Sequence, residues 1–274
     1  MLLQEKNEAA HNSVQKISKS TFNISTIVFL TCVSYVHSAC PRNFTEAAGG
    51  ICLLVVQSKG TYCYAHSFCE TEGKARGLRL FLPGRHIALI HTVLPPNSVV
   101  YSGISAFLNR SADLLEGWRY SDPGWAWYTT SSRETTVPWD VGEPNDQHAS
   151  VAIVYFYKIW DDLQFLGTTT HVVCELSGIS DINAMEPFKK NWPYSMSSLF
   201  FAHLDAIGCF TFTVENTLLK CCYRCKIRSA CRSFYFNTRT GECGLSLHVD
   251  SLLPRNMFKS ASAADWVRFG RPDA

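Results

Sequence analysis

The sequence predicts an α+β protein of two small, disulfide-rich domains. Short segments with helix or strand periodicity alternate with loops rich in Gly, Pro and Ser. Beyond the N-terminal segment the cysteines form two sets, five spread over residues 40–174 and six clustered within residues 209–243. The stretch between them, 177–198, is unpatterned and contains two prolines. We therefore predict a first domain at 40–176, a linker at 177–198 and a second domain at 199–274.

Composition excludes several classes of protein. Of the 274 residues, 46% are hydrophobic and 18% are charged, which is ordinary for a globular chain and argues against disorder. The net charge of +2 gives no electrostatic case for a nucleic-acid partner. No segment approaches the roughly 18–20 apolar residues of a membrane span.

The N-terminal segment, 1–39, is predicted to be a secretory signal peptide. Lysines precede an apolar run at 24–36, and the small residues Ser38 and Ala39 follow it. A signal-anchor is the competing interpretation, but the apolar run is short for a membrane span. We expect a secreted, extracellular protein.

Cleavage of that segment would remove Cys32 and leave eleven cysteines. In an oxidising compartment these predict a disulfide framework. Because eleven is odd, at least one thiol is free or pairs between chains. The sequons at Asn43 and Asn109 fit a glycosylated secreted protein.

Periodicity predicts the elements of the first domain. Helices are expected at 62–72 and 84–94. The region from 106 to 142 has little periodicity, and such long loops are usually functional. Strands are expected at 99–104, 151–157 and 171–174.

Oxygen-rich side chains follow that loop. Glu143 and Asn145 flank Pro144, which in cis would aim both side chains, and Asp161 and Asp162 come soon after. Ca²⁺ takes six to eight oxygen ligands from carboxylates and carbonyls. The same oxygens can hydrogen-bond the vicinal hydroxyls of a sugar. The pattern predicts calcium-dependent carbohydrate binding.

These motifs occur in an order that resembles a C-type lectin-like domain over residues 40–176. The matching segments are Cys40-Pro-Arg-Asn-Phe with Cys52, Tyr62 with Ala65 and Cys69, Tyr101-Ser-Gly-Ile-Ser105, Trp118-Arg-Tyr-Ser-Asp122, Trp139, Gly142-Glu-Pro-Asn145, Trp160-Asp-Asp162 and Val173-Cys-Glu175. The resemblance implies two helices, small antiparallel sheets and a long binding loop.

The resemblance also implies the disulfides of this domain, Cys40–Cys52 and Cys69–Cys174. The two positions of a further loop bridge in the family correspond here to Val151 and Phe165, whose side chains we expect to lie close together. Cys63 is expected to be buried and unpaired, or paired with a remote cysteine.

The ligand set implied for both metal and sugar is Glu143, Asn145, Asp161 and Asp162. A downstream Glu of the family pattern is unmatched, since His148 or Ala149 stands there, so Asp146 or a water is the expected substitute and calcium binding is expected to be weak. Glu-Pro-Asn resembles the pattern associated with mannose, fucose and N-acetylglucosamine. For Trp125 and Trp127 we weigh stacking on a sugar and favour core packing.

Residues 200–270 resemble a PAN/apple-type module. The matching segments are Cys221-Cys-Tyr-Arg-Cys225, Cys231-Arg-Ser-Phe-Tyr-Phe-Asn237, Gly241-Glu-Cys-Gly-Leu245 and Trp266. The resemblance implies a helix joined to a hairpin by Cys221–Cys243 and Cys225–Cys231, with Cys222 within reach of Cys209. A zinc site at Cys222, Cys225 and Cys231 is the alternative, disfavoured in a secreted chain.

Our functional hypothesis is a secreted calcium-dependent lectin of innate defence or adhesion. Its partners would be glycans or glycoproteins, with a protein partner at the PAN-like module. The alternative is an extracellular interaction or matrix protein whose lectin-like domain binds no sugar. A glycosidase would also use paired carboxylates, but nothing marks an acid opposite a nucleophile across a cleft, so we predict no enzyme.

Overall fold

The computed structural model describes residues 40–108, 111–133, 136–164, 169–178, 187–201, 207–255 and 263–272. The predicted signal peptide, the Asn109 sequon and Phe165 lie outside these residues. Ala39–Ala274 is one compact unit. None of the helices in the described ranges is long and apolar enough to cross a bilayer.

Within the described ranges, short strands alternate with three α-helices. In order, the elements are β1 (Thr45–Ala47), β2 (Ile51–Gln57), α1 (Tyr62–Arg76), β3 (Leu80–Phe81), α2 (Ile87–Ile90), β4 (Val99–Ser105), β5 (Arg119–Tyr120), β6 (Val151–Tyr155), β7 (Lys158–Asp162), β8 (His171–Leu176), β9 (Lys189–Lys190), β10 (Phe210–Val214), α3 (Leu218–Lys226), β11 (Cys231–Asn237), β12 (Glu242–Leu247) and β13 (Trp266–Gly270).

The described strands form three antiparallel sheets. Their orders are β1-β2-β8-β3, β5-β4-β6-β7 and β10-β12-β11-β13-β9. The first two sheets and α1 occupy the region predicted as a C-type lectin-like domain, and α3 packs on β11 of the third. The α+β prediction is confirmed, including the hairpin of β11 and β12.

Helix α1 is longer than predicted. Thr61 caps its first turn by accepting a hydrogen bond from the backbone N–H of Tyr64 (3.3 Å). The helix passes residue 72 because the left-handed conformation that stops it is adopted only at Gly77, with φ 65°. Its buried face carries Ala65 and Cys69 to the first sheet.

The second predicted helix, 84–94, is wrong in length. Only Ile87–Ile90 is α-helical, and its N-terminus has no side-chain cap. The bonds flanking it join residues three apart, as from Thr92 N–H to Leu89 C=O (3.1 Å), so the segment is wound as turns. The predicted strand 151–157 is likewise short, because Phe156 and Tyr157 both have positive φ and form the turn into β7.

Five disulfides join the described cysteines. Those implied by the two resemblances form: Cys40–Cys52, Cys69–Cys174, Cys221–Cys243 and Cys225–Cys231. The expected reach of Cys222 to Cys209 is wrong. Cys209 pairs instead with Cys63, the remote partner left open for that residue, and Cys222 is a free thiol. Helix α3 explains this, since Cys221 and Cys225 share its buried face while Cys222 lies one position round it.

The two predicted domains share one core. A single buried cluster contains Tyr62 and Phe107 of the first region together with Phe201 and Phe234 of the second. Gln164 Oε1 accepts hydrogen bonds from the backbone N–H groups of Ile207 and Gly208 (3.2 Å each). The Cys63–Cys209 bridge crosses the same boundary. In the predicted linker, Lys189–Lys190 forms β9 and pairs with β13.

Candidate functional site

Asp161 organises the loop that carries the Glu-Pro-Asn motif. It lies on β7, opposite Ala152 of β6, and is 9% exposed. Its Oδ1 accepts a hydrogen bond from the backbone N–H of Asn145 and its Oδ2 one from that of Asp146, both at 3.1 Å. The Glu143–Pro144 peptide bond is cis. One carboxylate therefore fixes the backbone at the last residue of the motif and at the residue that follows it.

The loop is tied to β7 a second time at its start. Asp140 N–H donates to Ile159 C=O (2.9 Å), and Trp139 bridges to the same residue. The Asp140 carboxylate pairs with Lys158 Nζ at 3.0 Å. The backbone from 139 to 146 is thus anchored at both ends on one strand.

Glu143 and Asn145 face one another. Asn145 Nδ2 donates to Glu143 Oε1 at 2.8 Å. Burial, followed by the neighbouring Asp161 carboxylate, raises the pKa of Glu143 to about 7. Two acidic groups beside one amide create a negative electrostatic potential, and among the described residues Glu143 has no basic ion-pair partner. A bound cation would stabilise the ionised form of both carboxylates.

Asp162 is placed differently from the other three. Neighbouring strand residues point to opposite faces, so it diverges from Asp161. Its Oδ1 accepts from the backbone N–H of Leu163 (2.6 Å), and burial together with Asp161 and Asp146 raises its pKa. The structure brings Glu143, Asn145 and Asp161 together and leaves Asp162 beside them.

The donor set fits a calcium ion only in part. Among the described residues, no three His, Cys, Asp or Glu side chains are grouped so as to hold a metal. The fit rests on two carboxylates, Glu143 and Asp161, with the Asn145 amide. Asp146, expected as a substitute ligand, accepts a hydrogen bond from the backbone N–H of His148 (2.7 Å) in its own turn. Ala149 is buried.

The tryptophans of the long loop form a half-exposed aromatic column. The Trp125 and Trp127 rings are stacked at 5.4 Å, and the Arg85 guanidinium lies 3.6 Å from the Trp125 ring centre. Trp127 is 59% exposed, so the expectation of core packing is wrong for that residue. Arg85 carries no sequence signal for this role, since it lies 40 residues before Trp125.

The contact of Val151 with Phe165 and the glycan at Asn43 both stay predictions. Val151 is buried in β6 opposite Asp162, while its expected partner Phe165 lies outside the described residues. Asn43 is exposed in a turn with φ 71°. Its exposure is compatible with a glycan.

Several solved structures are similar to about half of this chain. The C-type lectin CEL-I from Cucumaria echinata shares 16% identity, with a TM-score of 0.36, covering 50% of this chain and 97% of that one. The human scavenger receptor C-type lectin carbohydrate-recognition domain gives the same four values. Human lithostathine shares 15% at a TM-score of 0.35, covering 52% and 94%. No family model and no curated protein sequence matches the chain.

Matches with such low identities and TM-scores cannot by themselves assign the fold, so we rely on features of the chain itself. Those features are the hairpin bridge Cys40–Cys52, the core bridge Cys69–Cys174 and the anchored loop 139–146. They agree with the C-type lectin-like expectation. The comparisons lend no support to the PAN/apple-like expectation for 200–270, which stays a prediction.

Proposed function

We propose that the chain binds carbohydrate in a calcium-dependent manner through Glu143, Asn145 and Asp161, with Asp162 as a neighbouring ligand. The observation that carries the proposal is the meeting of Glu143 and Asp161 beside the Asn145 amide. Two carboxylates held this close raise the free energy of the ionised loop, and a divalent cation offsets that cost.

Each side chain has its own part in the proposed site. A bound calcium ion would supply positive charge and open coordination positions for sugar hydroxyls. Glu143 accepts hydrogen bonds and the Asn145 amide nitrogen donates them, so a hydroxyl between them meets a defined donor and acceptor. Asp161 keeps the loop backbone in place. The Glu-Pro-Asn order supports mannose, fucose or N-acetylglucosamine as the sugar class.

Secretion belongs to the same proposal. Five disulfides among the described cysteines are typical of proteins from oxidising compartments. A secreted chain would meet glycans and glycoproteins outside the cell. We retain a protein partner at the C-terminal region as a prediction.

A glycan array of the full secreted chain, run in millimolar CaCl₂ and again in excess chelator, tests this function. We expect signals on mannose-type, fucosylated or N-acetylglucosamine glycans that vanish with the chelator. Asn145→Asp should abolish these signals and keep the fold, because it removes the amide donor. Asn97→Asp, at an exposed turn, is the matched control. Equal glycan binding by wild type and Asn145→Asp would place the site elsewhere.

One observation favours the alternative, an extracellular protein-interaction role without sugar. Asp161 already holds the N–H groups of Asn145 and Asp146, so the loop has a defined backbone before any ion binds. On this alternative, the array stays blank with and without calcium. A protein partner captured from extracellular fluid would then be retained equally in chelator.

A further inference from the structure

A cavity of about 440 Å³ opens where the two halves of the chain meet, away from the 139–146 loop. It surrounds the Cys63–Cys209 bridge, between α1 on one side and β10 and β12 on the other. This volume lies in the range of roughly 300–1,000 Å³ that holds small molecules in proteins.

The cavity wall is mainly apolar. Phe210 and Phe212 are stacked at 5.4 Å, and Ile207, Leu247 and Pro254 continue the wall. Apolar surface that is open to water favours an apolar occupant, because burying that surface releases the water on it. The occupant therefore has an apolar chain or ring.

Gln164 also lines the cavity and holds part of its wall in place. The residue is 2% exposed, and its Oε1 is held by the N–H groups of Ile207 and Gly208. A flip of the amide would lose both bonds. Its Nε2 is buried and has no hydrogen-bond partner among the described residues. Because Nε2 is out of reach of water, it does not face the cavity, and the role of Gln164 is to hold the backbone of Ile207 and Gly208 in the cavity wall.

The charge at the cavity is positive. Arg228 lines it with a side chain that is 35% exposed, and its Nη2 lies 3.7 Å from Glu70 Oε2. His248 also lines the cavity, but burial lowers the pKa of its imidazole to about 4, so it is neutral at pH 7. Among the described lining residues, Arg228 alone carries a formal charge. A guanidinium suits a carboxylate, with which it forms paired hydrogen bonds.

We infer that this cavity is a second binding site, for a small molecule that joins an apolar chain or ring to a carboxylate. The apolar part lies along Phe210 and Phe212, and the carboxylate pairs with the Arg228 guanidinium. The site uses none of the residues of the proposed calcium site, so it functions with calcium absent.

Calorimetric titration of the full chain in chelator tests the inference, with octanoate, 1-octanol and octylammonium as probes. Octanoate should bind at one site per chain, at least tenfold more tightly than the other two. Ser67→Phe, which fills the cavity from α1, should abolish binding. Thr71→Phe, one turn further along the exposed helix and outside the cavity, is its control.

Two charge variants separate carboxylate recognition from simple apolar uptake. Arg228→Gln should reduce octanoate affinity to that of octanol, whereas Arg239→Gln, an exposed arginine paired with Asp265, should not. Arg228 is half-exposed, so its variant tests the site even if Ser67→Phe fails to fold. No octanoate binding, equal binding of octanoate and octanol, or unchanged affinity in Arg228→Gln would overturn the inference.

Discussion

Two stacked histidines, one from each region, lie where the two regions of the molecule meet. His66 of α1 stacks on His248 at 5.1 Å, and the exposed fractions are 2% for His66 and 9% for the His248 side chain. Burial lowers the pKa of both, to about 4 for His248. Charged groups face the pair from several elements. These are Glu70, Lys74, Arg228 and Arg232.

We expect this histidine pair to make the folded protein less stable at acidic pH. An unfolded His takes up a proton near pH 6.5, whereas folded His248 does so only near pH 4. Between these values the unfolded state binds more protons, so stability falls as pH falls, by on the order of 3 kcal/mol from His248 alone. Thermal melts between pH 7.5 and 4.5 should show this slope. His248→Asn, which tolerates the positive φ of 63° at this position, should flatten it. An equally steep slope in that variant would contradict the role of the pair.

For the helices, the capping residues can be read from the local sequence, whereas the helix lengths cannot. Thr61 and Thr217 each cap a helix through a hydroxyl, and Gly77 ends α1. Such signals can be read from the sequence, and so can the cysteine spacing of α3. The shortness of α2 could not be predicted from the pattern at 84–94, because apolar periodicity does not distinguish turns from a helix.

The contribution of the N-terminal cap of α3 to stability can be measured by mutation. Thr217 Oγ1 accepts a hydrogen bond from the Lys220 N–H (3.2 Å). Thr217→Ala should lower the free energy of unfolding by about 1 kcal/mol, because the first turn loses an acceptor. Thr217→Ser retains the hydroxyl and should lose less than half of that. Urea unfolding of the three proteins measures the difference, and equal losses in both variants would argue against capping.

For the molecule as a whole, the sequence did not predict that the two regions are joined. The Cys63–Cys209 bridge spans 146 residues, and no local spacing signals a contact between residues so far apart. The odd count predicted a free or interchain thiol with Cys63 as the candidate, but Cys63 is paired and the free thiol among the described cysteines is Cys222. The Glu-Pro-Asn loop and its partner Asp161 were predictable because their residue types and order carry the chemistry. The aromatic column with Arg85 was not.

The disulfide pattern is open to direct mapping. Non-reducing peptide mapping should find Cys63 linked to Cys209 and, among residues 40–274, only Cys222 labelled by alkylation after unfolding. Replacing both Cys63 and Cys209 by Ser should lower stability by roughly 2–5 kcal/mol, as removal of native disulfides commonly does. A Cys209–Cys222 peptide would contradict this connectivity.

A melting experiment with and without calcium tests whether Glu143, Asn145 and Asp161 bind the ion. A ligand that binds only the native state raises the melting temperature by mass action. The chelated wild-type chain should melt higher in millimolar CaCl₂. Glu143→Gln, which keeps the bond from Asn145 but removes the charge, should lose that rise, while the exposed Glu46→Gln should keep it. An unchanged melting temperature in wild type, or an equal rise in Glu143→Gln, would mean that calcium does not bind at this loop.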